Sequence, residues 1–88
     1  MITTTVRVTN RAGLHTRPAA MLVKLAAQYK SDIYLIRDGF NINAKSIIGV
    51  MTLAAEQGCD LGLHVDGPDE STAAAAIADL FASGFGEP

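Results

Sequence analysis

Hydrophobic and polar residues alternate at the start of the chain: Ile2, Thr4, Val6 and Val8 share one parity, and Thr3, Thr5, Arg7 and Thr9 share the other. That period of two predicts a strand over Ile2 to Thr9 with one buried face. Asn10-Arg11-Ala12-Gly13 breaks the alternation. Thr16 can cap free amides and Pro18 is tolerated in a first turn, so a helix is predicted to start there. Leu22, Leu25, Ala26 and Tyr29 then recur at helical spacing, which carries the helix to about Lys30. Ile33 to Arg37 is apolar on both parities, as a central strand would be. Asp38-Gly39 signals a hairpin into a third strand, with Phe40, Ile42 and Ala44 on one side and Asn41 and Asn43 on the other. Ser46 is an N-cap candidate before the apolar stretch Ile47 to Ala55, and Gly58 is a helix stop. Leu61, Leu63 and Val65 alternate with Gly62, His64 and Asp66 in a fourth strand. Asp69 can cap a last helix with a buried stripe of Ala73, Ala76, Ile77, Leu80 and Phe81, ended by Gly84.

The order is β-α-β-β-α-β-α in one domain spanning residues 1–88, without linker or repeat. Amphipathic helices over half-polar strands predict an α+β fold, an open-faced β-sandwich: a four-stranded, mostly antiparallel sheet with three helices on one face. Right-handed crossovers favour split β-α-β connections. Composition narrows the function classes. At 88 residues there is no room for a second core, and with 49% apolar residues none of the apolar runs approaches the roughly 20 residues of a membrane span. The N-terminus lacks a basic region leading into an apolar one, so an unexported, cytoplasmic protein without membrane insertion is expected. Cys59 is the single cysteine, too few for an intrachain disulfide or a zinc site. Seven basic and nine acidic residues leave a net charge of −2, and no basic run suits nucleic acid.

The chemistry concentrates in Gly13-Leu14-His15-Thr16-Arg17-Pro18-Ala19, where a histidine directly precedes a helix start and an arginine lies in its first turn. The free amides and positive end of the helix dipole form an anion site, and Arg17 adds bidentate donors. The same field disfavours imidazolium, and a neutral imidazole is a nucleophile. A phosphoryl group taken by His15 would lie among donors already aimed at it, with no metal or cofactor required. Read on spacing alone, the same residues also describe a polar loop histidine beside an ordinary capping threonine.

Gly13-Leu14-His15-Thr16-Arg17-Pro18-Ala19-Ala20 resembles the active-site loop of the HPr family, the histidine phosphocarriers of the bacterial phosphoenolpyruvate-dependent phosphotransferase system. A second stretch, Ala44-Lys45-Ser46-Ile47-Ile48-Gly49-Val50-Met51-Thr52-Leu53, resembles that family's regulatory-serine region. The resemblance covers essentially the whole chain. It implies that His15 receives a phosphoryl group on its δ nitrogen from enzyme I, which takes it from phosphoenolpyruvate, and passes it to EIIA-type acceptor domains. It also implies that Arg17 contacts the phosphate, while Thr16 and Pro18 shape the loop and helix start. The protein is then a carrier rather than a stand-alone enzyme, and a monomer is expected. For Ser46 the resemblance implies phosphorylation by a dedicated HPr kinase/phosphorylase, although a serine N-cap is explained by helix structure alone. Charge added at a helix N-terminus favours the helix, so such a switch would alter the partner surface rather than melt the fold.

The second helix is apolar on more than one face, so some of Ile47, Ile48 and Met51 are expected to be exposed as a docking patch with Ala20 and Lys24 of the first helix. The ending Phe81-Ala82-Ser83-Gly84-Phe85 resembles nitrogen-related paralogues, and Ala54 stands where many regulatory-serine members have glycine. A nitrogen-branch or purely regulatory paralogue without sugar uptake is therefore the alternative. His64 reads as a solvated sheet residue, Cys59 as incidental, and Tyr29 and Tyr34 as packing residues. Asp66, Asp69 and Glu70 straddle a turn and a cap, which is poor spacing for a metal. An RNA-binding ferredoxin-like module shares the element order but needs exposed sheet aromatics and a positive field, whereas none of this chain's five aromatics has the spacing of that family's central-strand motif and the net charge is −2. A phosphate-cleaving enzyme would lack a group to activate water.

Overall fold

The computed structural model describes residues Met1–Pro88. The elements are β1 (Ile2–Arg7), α1 (Thr16–Ala26), β2 (Asp32–Arg37), β3 (Phe40–Asn43), α2 (Ile47–Thr52), β4 (Asp60–Asp66) and α3 (Glu70–Ala82), followed by a 3-10 turn at Gly84–Gly86. The strands form one sheet in the order β1-β4-β2-β3, and every pairing is antiparallel. β1 and β2 are thus parallel with β4 between them, and β3 and β4 are parallel with β2 between them: two split β-α-β units. No helix is long and apolar enough to cross a membrane.

Register explains the one-sided core. Leu35 lies opposite both Leu63 and Ile42, Ile33 opposite Val65, and Val6 opposite Leu61. These inward residues, with Leu22, Val50, Ile77 and Phe81 from the helices, are buried or nearly so except Ile42, which is half-buried. The other face shows the row Thr3, His64, Tyr34 and Asn43 without cover. His64 is half-buried there, and Tyr34 is the single aromatic on that face.

Several boundaries differ from the sequence reading. β1 stops at Arg7, although Val8 stays buried and exchanges backbone bonds with Gly58 and Cys59. α1 ends at Ala26 rather than near Lys30, because Gln28 and Tyr29 bond back only three residues, to Leu25 and Ala26, and tighten the chain out of the helix. α2 has only six residues; Leu53 and Ala54 likewise bond back three, and Ala54 turns to a positive φ of 46° well before Gly58. Phe40 has the inward parity yet is 70% exposed, because it sits on the edge strand in an open groove with Arg37, Ile42, Leu53 and Glu56. In α3 the buried positions are Ala73, Ala74, Ile77 and Phe81, while Ala76 and Leu80 are only partly buried.

Asp69 occupies the N-cap position of α3 but makes no side-chain cap bond. Its carboxylate instead accepts from the Lys30 and Ser31 amides, each at 2.9 Å, and from the Ser31 hydroxyl. It therefore joins the turn after α1 to the start of α3. The Ser31 hydroxyl, followed by the backbone donors, pulls the Asp69 carboxyl down to about 2. A depressed folded value contributes stability that is complete above the unfolded carboxyl's pKa of about 4 and is lost as pH falls through the folded value. We expect Asp69→Asn to lower the urea midpoint at neutral pH and the gap from the parent to close between about pH 4 and 2. A gap constant over that range would show that the carboxylate charge contributes nothing.

Candidate functional site

The loop before α1 is shaped by backbone contacts rather than by a side-chain cap. Gly13 has a φ of 73°, a region disfavoured for residues with a Cβ, and a Cβ there would lie 2.5 Å from the Ala55 carbonyl oxygen. That same oxygen accepts the Leu14 amide at 2.8 Å, and Leu14 is buried beneath the loop. Asn10, itself buried, donates its side-chain amide to the Gly13 carbonyl at 2.8 Å. The segment leading to His15 is thus pinned from both sides.

His15, not Thr16, is the N-cap residue of α1. Its backbone is extended, its carbonyl accepts the Ala19 amide at 3.0 Å, and its ring makes no cap bond. Thr16 is the first helical residue and is exposed, so the capping role read from its type does not hold. The reason is register: the helix begins at Thr16, one residue earlier than a threonine cap requires. The first-turn amides have no intrahelical acceptor, and Pro18, third in the helix, contributes no donor. No acidic residue lies in that turn. The positive end of the helix therefore adjoins His15, whose imidazole is half-exposed, with Arg17 two residues on and largely exposed.

A feature absent from the sequence reading completes the site. His15 Nε2 lies 2.8 Å from Glu87 Oε1, Asn10 Nδ2 donates to that same oxygen at 2.8 Å, and Arg17 Nη1 is 3.7 Å from Glu87 Oε2. The Glu87 side chain is only 10% exposed. The bond from His15, and after it the bond from Asn10, hold its carboxyl below the usual glutamate range. The tail reaches this position through three consecutive left-handed residues, Gly84, Phe85 and Gly86. Positive φ is unusual for phenylalanine, and here the ring is fully buried, edge-on to Phe81 at 5.0 Å between centroids. A backbone bond from Arg11 to the Pro88 carbonyl at 2.7 Å fixes the far end. An aromatic residue between two glycines is the available signal, but the return of Glu87 to His15 spans 72 positions.

Ser46 is the N-cap of α2, as its place before the apolar stretch predicts, and its Oγ accepts the Gly49 amide at 3.1 Å. Ile47 and Met51 are each 40% exposed and Ile48 is 76% exposed, while Val50 and Leu53 are buried. Ala20 and Lys24 are exposed on α1, which packs against α2. Cys59 is half-buried beside the Asp60 carbonyl, and no three His, Cys, Asp or Glu side chains group as metal ligands. Replacing Gly13 with alanine should lower Tm by roughly 4 to 16 °C, since a left-handed alanine costs about 1 to 2 kcal/mol. An unchanged Tm in thermal unfolding would mean that the loop stands clear of Ala55.

The family model described as PTS HPr component phosphorylation site matches residues 2–83. The phosphocarrier protein HPr of Treponema pallidum is 53% identical over 87 residues, covering 99% of each chain. Among solved structures, HPr-C-His from Thermoanaerobacter tengcongensis superimposes with a TM-score of 0.95 at 42% identity, covering 100% of this chain and 99% of that one. A dimer of HPr from the same organism matches with a TM-score of 0.76 at 41% identity, covering 99% of this chain and 100% of that one.

Proposed function

Because this chain belongs to the HPr family, the phosphoryl carriers of the phosphotransferase system, we propose that His15 is its phosphoryl acceptor, through Nδ1, and Arg17 its phosphate contact. The partners are those of that system, enzyme I as donor and EIIA-type domains as acceptors. The names its relatives bear favour the carrier over a nitrogen-branch or purely regulatory paralogue. The observation that carries the reading is the half-exposed His15 ring at the N-cap of α1, unused as a cap, with Arg17 two residues on. Attack by the imidazole brings a phosphoryl group next to first-turn amides that lack helix partners and next to a guanidinium free to turn toward it. The Thr16 and Pro18 side chains serve to set the start of the helix.

Docking falls to Ala20 and Lys24 on α1 and Ile47, Ile48 and Met51 on α2, a mostly apolar patch with one cation at its side. Ser46 is the regulatory site for an HPr kinase/phosphorylase. A phosphate on its Oγ would stand at the N-terminus of α2 and put about −1.5 to −2 charges beside Ile47. The protein works in the cytoplasm as a monomer, a reading that sedimentation can contrast with the dimer solved for a relative.

Incubated with enzyme I and phosphoenolpyruvate, the protein should gain about 80 Da in an acid-labile form. His15→Ala should gain nothing, and Arg17→Ala should be labelled about 10-fold or more slowly with its fold intact. Labelling of His15→Ala would overturn the assignment, and an unchanged rate in Arg17→Ala would remove the phosphate contact. For Ser46, the kinase should add an acid-stable group that Ser46→Ala does not accept. That variant should also be about 1 kcal/mol less stable in urea unfolding, from the lost cap.

A further inference from the structure

We infer that Asn10 and Glu87 select which nitrogen of His15 carries the phosphoryl group: Glu87 holds the ring proton on Nε2, and Asn10 holds Glu87. The inference rests on His15 being the acceptor. An ionised carboxylate only accepts hydrogen bonds, so the 2.8 Å contact between Glu87 Oε1 and His15 Nε2 is favourable only when Nε2 bears the proton. With the other tautomer, two lone pairs would face each other at that distance. A neutral imidazole has one ring proton, so Nδ1 is left with its lone pair free.

Asn10 makes this arrangement rigid. It is 1% exposed, and its Nδ2 bonds both the Gly13 carbonyl and Glu87 Oε1, each at 2.8 Å. Both partners are acceptors, so the amide can point only one way. Its Oδ1 is buried without a partner, a cost tolerated for the sake of the two donor contacts. Asn10 never touches the ring and is a positioning residue, joining the loop that carries His15 to the tail that carries Glu87.

Proton and charge balance follow. The Nδ1 lone pair forms the bond to phosphorus as the donor's bond to phosphorus breaks, and that electron pair leaves with the donor. Nε2 keeps its proton, so the ring gains a positive charge that faces the Glu87 carboxylate. Arg17, 3.7 Å from Glu87 Oε2, is near enough to be held beside the ring and loose enough to turn to the phosphate. Passing the group on reverses each change and restores the starting tautomer.

The test compares the parent with Glu87→Ala, Glu87→Gln and Asn10→Ala, each checked for cooperative unfolding. Ring 15N spectra of the neutral imidazole should give a single Nε2–H tautomer in the parent and a mixture in Glu87→Ala and Asn10→Ala. Glu87→Gln should keep the parent tautomer, because the Asn10 donor turns the glutamine oxygen toward Nε2, yet lose the counter-charge. With enzyme I and phosphoenolpyruvate, Glu87→Ala and Glu87→Gln should each transfer about 10-fold more slowly. Parent-like ring spectra and rates in Glu87→Ala would overturn the inference. If the parent takes no label on His15, the acceptor assignment fails, while a parent-like tautomer in Glu87→Ala would sink the clamp by itself.

Discussion

Only one face of this sheet is roofed, and that constraint organises everything else. Antiparallel pairing in the order β1-β4-β2-β3 puts Leu35, Leu63, Ile33, Val65 and Leu61 on one side, and all three helices are drawn there to cover them. Their ends and connecting loops then crowd at the rim of the sandwich. His15, Ala55 and Glu87 come from three separate parts of the chain and meet at that rim, where a side chain can be held by the core and still face solvent.

The site gains its order from contacts that do not react. Leu14 anchors the loop to the core, the Ala55 carbonyl fixes the Leu14 amide, and Asn10 ties Gly13 to Glu87. Burial of the Phe85 ring, a gain of about 1.5 to 3 kcal/mol, offsets the strain of its left-handed backbone and returns the tail to the histidine. A carrier handing one group to successive proteins needs this combination of a rigid support and an open approach. A deep pocket would exclude the second partner.

Electrostatics divides the same way. The end of α1 has first-turn amides without helix partners and no acidic residue among them, and the tail sets a carboxylate 2.8 Å from His15 Nε2. Arg17 Nη1 lies 3.7 Å from Glu87 Oε2, so in the proposed phosphorylated state the phosphate would compete with Glu87 for it.

Local pattern was enough to specify the four strands, the three helices, the one-sided sheet, the Ser46 cap and His15 at a helix start, because alternation, helical spacing and capping involve neighbours within a few positions. Exposure of Ile48 followed from the same reasoning, since a short helix cannot turn every face inward. Tertiary contacts decided what neighbours could not. Thr16 lost its capping place to His15, Asp69 turned from its own helix to Ser31, and Phe40 was left outside on an edge strand. Above all, the tail brought Glu87 back across 72 positions to the histidine. A hydrogen bond at that separation leaves no periodic trace in the sequence; it exists only because the buried Phe85 and the left-handed turn around it set where the chain ends up.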